Sequence, residues 1–194
     1  MFVLEYIKNP KIIGAVAPSS KYLAYKMIES INFKNVECIV EFGPGTGIFS
    51  EKILSRVKDD TKVVLVEINK EFYNILKETY GHKKNVIIVN DSAENIDIIL
   101  KKYSIEKVDY ILSGLPFTSL PREVSKAILT KTSEILKEEG EFITFQYSLV
   151  KLDFFKKYFF NISYKKEIRN LPPAYVLQCK GERNEEKYIS SWWW

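Results

Sequence analysis

The residues best suited to bind a small molecule lie in the run Val-Glu-Phe-Gly-Pro-Gly-Thr-Gly-Ile-Phe at 40–49. Glu41 comes first, and Gly43, Gly45 and Gly47 follow at every second position. Glycines let the backbone turn sharply and approach a ligand closely. A helix that begins at such a turn offers N–H groups without intrahelical partners. The run therefore predicts a ligand-binding turn between a strand and a helix.

Two further polar groups come directly after apolar runs. Glu67 follows Lys-Val-Val-Leu-Val, and Asp91, Ser92 and Ala93 follow Asn-Val-Ile-Ile-Val-Asn. Because the carboxyl ends of parallel strands meet at one edge of a sheet, we expect these groups to lie near the glycine turn.

Seven apolar segments predict the strands that position these groups. The first four are nearly continuous runs of Val, Ile and Leu, as expected of strands covered on both faces. The last two follow one another closely across Arg-Asn-Leu-Pro-Pro-Ala, which favours an antiparallel hairpin at the sheet edge. The predicted strands are 36–42, 62–68, 85–90, 108–113, 141–147, 161–169 and 174–180.

Amphipathic stretches between the strands predict helices. They cover 47–57, 69–80 and 121–140, with Pro121 in a first turn and Gly140 as a C-cap. A further helix over 18–31 would take Ser19 or Ser20 as its N-cap. This alternation predicts an α/β fold with a mostly parallel seven-stranded sheet, an antiparallel edge hairpin and helices on both faces.

The glycine turn with its preceding acid resembles the first motif of class I S-adenosylmethionine-dependent methyltransferases, which have a Rossmann-like fold. The dinucleotide fingerprint is spaced G-x-G-x-x-G, whereas this turn is G-x-G-x-G after an acid. The resemblance implies S-adenosylmethionine as cofactor, S-adenosylhomocysteine as product and no metal.

The resemblance also implies a set of cofactor contacts. Glu67 would hold the two ribose hydroxyls, Asp91 the adenine amine, and the backbone of Ser92 and Ala93 the adenine ring. Ser19 and Ser20 would help to hold the methionine carboxylate at the start of the 18–31 helix. The alternative role for each acid, glycine or serine is to cap or turn the chain.

The loop after the fourth strand is Ser113-Gly114-Leu115-Pro116-Phe117, an apolar sequence where polar residues are expected. In class I methyltransferases this loop holds the methyl acceptor, and we call residues 113–117 the acceptor loop. The rRNA adenine dimethyltransferases carry Asn-Leu-Pro-Tyr or a similar sequence there, and the asparagine amide accepts from the adenine amine. Gly114 takes the asparagine's place, which argues against a nucleobase acceptor.

A second resemblance covers about residues 6–180. The runs 8–24, 40–47, 113–117, 142–149 and 169–177 are similar to soluble bacterial phospholipid N-methyltransferases, which convert phosphatidylethanolamine towards phosphatidylcholine. This resemblance implies an acceptor amine on a lipid head group and binding to a membrane surface.

A phosphoethanolamine acceptor needs a cation for its phosphate and aromatic faces for its ammonium group. Arg169 would pair with the phosphate. Phe117, Tyr147, Tyr22 and Tyr25 would supply cation–π faces. The alternatives are core packing for the aromatic residues and an exposed surface charge for Arg169. Tyr147 and Asp91 are both candidates for removing the amine proton.

Three segments are candidates for membrane contact. Residues 151–169 hold six basic, two acidic and six aromatic residues, a composition typical of interfacial segments on anionic lipid. Residues 1–18 are apolar and mildly basic, and residues 188–194 end in three tryptophans. The alternative for 151–169 is a surface helix followed by an edge strand.

Composition sets the remaining limits. At 194 residues and a net charge of +4, the chain suits one domain and a nucleic-acid partner is allowed but not implied. We predict one methyltransferase domain at 1–187, with a cap at 1–34, a core at 36–180 and a tail at 188–194. Its two cysteines are expected to be buried free thiols in a reducing cytoplasm, and its oligomeric state is left open.

Two other functions compete with lipid N-methylation. One is N6-methylation of adenine in rRNA, and the other is binding of lipid or cofactor without methyl transfer. A lipid enzyme should methylate ethanolamine lipid in anionic vesicles, whereas an adenine N6-methyltransferase should methylate rRNA.

Overall fold

Seven strands form one sheet in the computed structural model, which describes residues 20–182. They pair in the order β3-β2-β1-β4-β5-β7-β6, with β1 to β5 parallel and β7 antiparallel to both of its neighbours. The strands are β1 (Cys38–Phe42), β2 (Lys62–Val66), β3 (Val86–Val89), β4 (Val108–Ser113), β5 (Leu136–Gln146), β6 (Phe159–Glu167) and β7 (Ala174–Glu182).

Six α-helices and one 3-10 turn connect the strands within the described residues. The helices are α1 (Lys21–Ile28), α2 (Ile48–Leu54), α3 (Lys70–Tyr80), α4 (Ile96–Lys102), α5 (Arg122–Ile135) and α6 (Leu152–Phe155), and the 3-10 turn is Ala93–Asn95. Ser20 is the N-cap of α1, because its Oγ accepts from the Leu23 N–H at 3.2 Å. Ser19 lies outside the described residues.

Alternate side chains of the buried strands point to opposite faces and give the sheet two apolar layers. Val40 and Phe42 of β1 pack with α4, α5 and α6, whereas Ile39 packs with α1, α2 and α3. Cys38 and Cys179 are both buried free thiols, as predicted. The α/β fold with its antiparallel edge pair is therefore confirmed.

The structure corrects the predicted boundaries around α5. The helix begins after Pro121, whose carbonyl accepts from the Ser125 N–H, and ends at Ile135. Gly140 lies within β5 and not at a helix C-cap, and a Cβ there would be 3.0 Å from the Asp109 carbonyl oxygen. Helix α4 was not predicted, since its seven residues give a short pattern.

The strand order reverses at β1, whose neighbours are β2 on one side and β4 on the other. In open α/β sheets, ligands bind at the carboxyl edge beside such a reversal. No helix of residues 20–182 has the length and apolarity needed to cross a bilayer.

Candidate active site

The glycine turn connects the end of β1 to the start of α2. Gly43, Gly45 and Gly47 all have positive φ, at 63°, 56° and 86°, a conformation that costs other residues free energy. The Gly43 N–H donates to the Val66 carbonyl at 2.9 Å, which ties the turn to β2. A Cβ built on Gly45 would meet no atom within 4 Å, so open space lies beside the turn.

Glu67 connects the glycine turn to the end of β2. Its carboxylate accepts from the Gly45 N–H at 2.9 Å and from the Asn69 N–H at 2.8 Å. Burial raises the pKa of Glu67, and these N–H bonds oppose that shift. The carboxylate therefore fixes the shape of the turn, and two N–H bonds leave acceptor capacity for a ligand hydroxyl.

Glu41 is fully buried beneath the same turn. One of its oxygens accepts from the Ser50 hydroxyl at 2.6 Å, and no hydrogen-bond partner reaches the other among the described residues. Burial raises the pKa of Glu41 to about 8, the Ser50 bond opposes this shift, and the nearby charge of Glu67 adds to it. The second carboxyl oxygen is therefore buried without a hydrogen bond from the described residues.

Asp91 follows β3 at the same edge of the sheet. Its Oδ1 accepts from the Ser92 N–H at 2.7 Å and from the Asn95 amide at 2.8 Å. Ser92 in turn caps the 3-10 turn, accepting from the Glu94 N–H. Ala93 is buried within that turn. The structure thus brings the predicted adenine-binding residues to the edge that holds Glu67.

These features fit S-adenosylmethionine, which carries an ammonium group, a carboxylate and two ribose hydroxyls. Glu41 offers an unpartnered buried acceptor, Glu67 an anion next to the turn, and Gly45 an open approach. The bound cofactor would supply a methyl group on a sulfonium. The residues at this edge would hold the cofactor and orient it.

The acceptor loop lies directly against the glycine turn. The Gly114 N–H donates to the Phe42 carbonyl at 2.9 Å. A Cβ on Gly114 would lie only 2.8 Å from the Gly43 carbonyl oxygen, and a Cβ on Gly43 would lie 2.9 Å from the Leu115 side chain. Two backbone segments therefore approach each other at a distance that only glycine at 114 permits.

The other acceptor-loop residues divide between surface and core. Ser113 is buried, and its Oγ accepts from the Leu115 N–H at 3.2 Å, which shapes the loop. Leu115 and Pro116 are half-buried. Lys151, just before α6, donates to the Phe117 carbonyl at 2.7 Å and holds the end of the loop.

Phe117 corrects the sequence-based expectation. Its ring is fully buried and packs edge-on against Phe142 and Phe155, with ring centroids 6.0 and 5.4 Å away. The ring faces core neighbours, so Phe117 anchors the loop and does not present a cation–π face.

Asn170, for which the sequence predicts no role, contacts Ser20 and lies beside Tyr147. The Asn170 side chain is buried, accepts from the Ser20 N–H at 3.0 Å and donates to the Pro172 carbonyl at 2.8 Å. Asn170 also lies beside Tyr147, where it opposes the rise in the pKa of that phenol. Burial raises the pKa of Tyr147, so this phenol stays protonated and is a poor candidate for a proton acceptor.

Tyr22, Tyr25 and Arg169 also differ from their predicted roles. Arg169 donates through Nε and Nη2 to both oxygens of buried Glu167, at 2.8 and 2.9 Å, and its guanidinium stacks on Tyr22 at 4.3 Å. The Arg169 pair holds the pKa of Glu167 at about 2. Tyr25 carries Lys52 and Arg56 over its ring. Protein cations thus already contact both tyrosine rings.

Ser50, Lys151, Glu167 and Asn170 are the site-edge residues that sequence reasoning missed. The Arg-Asn-Leu-Pro-Pro-Ala run was singled out, and its buried amide could have been suspected there because asparagine often bonds backbone groups in turns. For Ser50 and Lys151, no local pattern indicates the partner.

Solved structures of other proteins share this architecture. A precorrin-6y C5,15-methyltransferase from Geobacter metallireducens superposes with a TM-score of 0.64 at 13% identity, covering 82% of this chain and 88% of that one. This likeness shows the fold alone. With the glycine turn and its acids at the carboxyl edge, this is the fold of class I S-adenosylmethionine-dependent methyltransferases.

Sequence comparison then gives the family. The family model for ribosomal RNA adenine dimethylase matches residues 5–167, and the chain belongs to that family. It is 31% identical to the ornithine lipid N-methyltransferase of Singulisphaera acidiphila over 183 residues, which are 93% of this chain and 95% of that protein.

The match to enzymes named for rRNA is shorter. The chain is 29% identical to ribosomal RNA small subunit methyltransferase A of Hydrogenobaculum sp. over 111 residues. That alignment covers 57% of this chain but only 40% of the relative, so the chain spans less than half of that enzyme's length.

Because burial raises the pKa of Glu41 to about 8, the stability of the protein should depend on pH through this group. Between the ordinary pKa of 4.5 and about 8, the unfolded state loses the Glu41 proton while the folded state keeps it. Wild type should therefore lose stability with rising pH, at about 1.4 kcal/mol per pH unit at most, relative to Glu41→Gln.

Urea denaturation of both proteins at pH 5, 6, 7 and 8 measures this difference. Ser50→Ala is a useful companion, because it removes the hydrogen bond that stabilises the ionised Glu41 and should extend the loss to higher pH. Parallel stability curves for wild type and Glu41→Gln would show that Glu41 is ionised in the folded protein.

Proposed function

We propose that this methyltransferase transfers methyl groups from S-adenosylmethionine to an amine nitrogen of a lipid head group. Phosphatidylethanolamine is the acceptor expected from the sequence. The reaction would occur at the inner surface of the membrane, to which the protein binds peripherally. The lipid and the anionic membrane surface are its proposed partners.

The observation that carries this proposal is the contact between Gly114 and Gly43. An adenine-reading asparagine or aspartate at 114 would need a Cβ within 2.8 Å of a backbone oxygen. Because the described loop has no room for that side chain, it lacks the acceptor for an adenine amine. The nearly full-length similarity to an ornithine lipid N-methyltransferase supports the same choice.

The Arg169–Glu167 pair bears on which lipid is used. The Nε–Nη2 edge of the guanidinium, suited to bidentate contact with a phosphate, already binds a carboxylate. The predicted phosphate contact therefore has to compete with a buried acid. We accordingly rest the proposal on the amine of the head group and treat the phosphate as secondary.

Methyl transfer requires the amine lone pair to lie in line behind the methyl carbon as the bond from carbon to sulfur breaks. The new N–C bond would form as this C–S bond breaks, the product would be S-adenosylhomocysteine, and the amine proton would be lost to solvent. Most of the catalysis would come from positioning. The half-buried Leu115 and Pro116 would exclude water beside the acceptor nitrogen, with Phe117 anchoring them in the core.

Incubating the protein with methyl-labelled S-adenosylmethionine and total bacterial lipid, followed by thin-layer separation, tests the proposal. Parallel reactions should contain vesicles of phosphatidylethanolamine, vesicles of an ornithine lipid, and small ribosomal subunits. We expect label in a lipid band, and the defined vesicles identify its head group. Label in rRNA with none in lipid would replace the proposal with adenine methylation, the function after which the family is named.

A further inference from the structure

Exposed aliphatic side chains gather at the turn between β6 and β7, which we call the hairpin turn (residues 168–173). The side chains of Ile168 and Leu171 are 71% and 83% exposed, and Pro172 and Pro173 beside them are also exposed. Single exposed aliphatic residues are common, but four within six positions form a concentrated apolar tip.

The hairpin turn is held from beneath by buried polar residues. Glu167 pairs with Arg169, and Asn170 bonds to the Pro172 carbonyl and to the Ser20 N–H. These bonds fix the backbone while its aliphatic side chains point outward. A binding surface that is already ordered loses little conformational entropy when it binds.

Cations surround the apolar tip. Lys165, Lys166 and Arg169 are all exposed, while Glu167, the acid within the same stretch, is buried and neutralised by Arg169. Lys165 has a salt bridge to Glu29 of 3.3 Å, in which both side chains are about half exposed. With Lys165 paired to Glu29 and Arg169 to Glu167, Lys166 gives the turn its net positive charge, which complements anionic lipid.

The hairpin turn lies at the same edge of the sheet as the acceptor loop. Glu167 pairs with Ala174, and Tyr175 pairs with Gln146 near the carboxyl end of β5. Thr144, two residues earlier on β5, pairs with Ser113 of the acceptor loop. A surface that bound the turn would therefore face the edge where the methyl acceptor is expected.

We infer that the hairpin turn docks the protein onto an anionic bilayer, with Ile168 and Leu171 inserting among the lipid head groups and Lys165 and Lys166 contacting their charges. This inference rests on the proposed function and adds the place at which the membrane binds. RNA is a poorer fit, because recognition of RNA uses phosphate contacts and stacking on aromatic or guanidinium planes, which aliphatic tips do not supply.

Co-sedimentation with vesicles of phosphatidylglycerol and phosphatidylcholine tests the docking surface without any acceptor amine. The double variant Ile168→Ser/Leu171→Ser should bind at least tenfold more weakly than wild type, because it loses the two aliphatic side chains that would insert into the bilayer. Ile98→Ser is the matched control: Ile98 is a 65% exposed aliphatic residue on α4, and its variant should bind as wild type. Raising the salt concentration should weaken wild-type binding.

Cofactor binding and melting temperature should stay unchanged in the double variant, which separates docking from misfolding. The inference is overturned if the double variant binds vesicles as well as wild type, or if wild type does not bind them. It is also overturned if Ile98→Ser loses as much vesicle binding as the double variant. If wild type instead binds rRNA and the double variant loses that binding, the surface belongs to RNA and the inference is also overturned.

The vesicle experiment and the labelling experiment fail independently. Vesicle binding through the turn without label in any lipid would reject the proposed function and keep the docking surface. Labelled lipid together with unchanged vesicle binding by the double variant would reject the docking surface and keep the function.

Discussion

Replacing Gly114 with asparagine is expected to reduce methyl transfer at least tenfold and to lower the stability of the protein. The new Cβ would lie 2.8 Å from the Gly43 carbonyl oxygen and 3.7 Å from that of Phe42. Both are backbone oxygens, so no side-chain rotation relieves the contact. The acceptor loop must then move away from the glycine turn, and the bond from the Gly114 N–H to Phe42 lengthens or breaks.

The expected loss of stability is about 1–3 kcal/mol, the usual cost of inserting atoms into a packed region. Gly114→Ala carries the same Cβ without the amide and should lose most of the same activity. Thr118→Asn adds an amide at the exposed position directly after the acceptor loop and serves as the control. Single-turnover methyl transfer and thermal melting measure both effects.

Wild-type activity of Gly114→Asn on lipid would remove the observation on which the proposed acceptor depends. A variant that loses lipid activity and gains methylation of rRNA would show that this one position selects the acceptor.

Local chemistry allowed most of the fold to be predicted. The central strands are continuous apolar runs, and the glycine turn has positive φ at three positions. Each of these features depends on neighbouring residues of the sequence. The acids at the carboxyl ends of β1, β2 and β3 followed from the same regularity, because parallel strands end at one edge. The sequence therefore predicts which segments are strands and at which edge of the sheet the acids lie.

What could not be predicted depends on contacts between distant segments. Gly114 was expected only to lack an amide, whereas the structure shows that its backbone lies against Gly43. Phe117 was expected to supply a cation–π face to the acceptor, with core packing as the alternative, and the structure packs its ring against aromatic residues of β5 and α6. Partners of this kind are set by packing and have no local sequence pattern.

Arg169 illustrates the same limit for charges. Its place before a turn indicated a functional cation or an exposed charge, and both interpretations left its partner open. The structure pairs it with Glu167, two residues earlier, through both carboxylate oxygens. A buried acid at that spacing has a physical need for a cation, since an unpaired buried carboxylate is costly.

Replacing Glu67 with alanine is expected to weaken binding of S-adenosylmethionine and S-adenosylhomocysteine by about 10–100-fold. The range corresponds to about 1.5–3 kcal/mol, the contribution of one hydrogen bond to a charged group, because the ribose hydroxyls would lose their acceptor. The Gly45 and Asn69 N–H groups would also lose their acceptor, so the glycine turn would lose a bond that fixes its shape.

Isothermal calorimetry with S-adenosylhomocysteine measures the effect, and Glu71→Ala is the control. Glu71 is an exposed acid in the first turn of α3, so its removal changes the net charge equally without touching the site. Equal affinity for wild type and Glu67→Ala would exclude Glu67 from the cofactor site.

Glu67→Gln separates the two contributions of this carboxylate. Glutamine keeps one carbonyl oxygen, which can still accept from Gly45 or Asn69, but it cannot accept from both N–H groups and from two hydroxyls. If affinity returns close to that of wild type, the main role of Glu67 is to shape the turn. If the loss persists while the melting temperature recovers, the ionised carboxylate itself binds the cofactor, as the position of Glu67 beside open space at Gly45 leads us to expect.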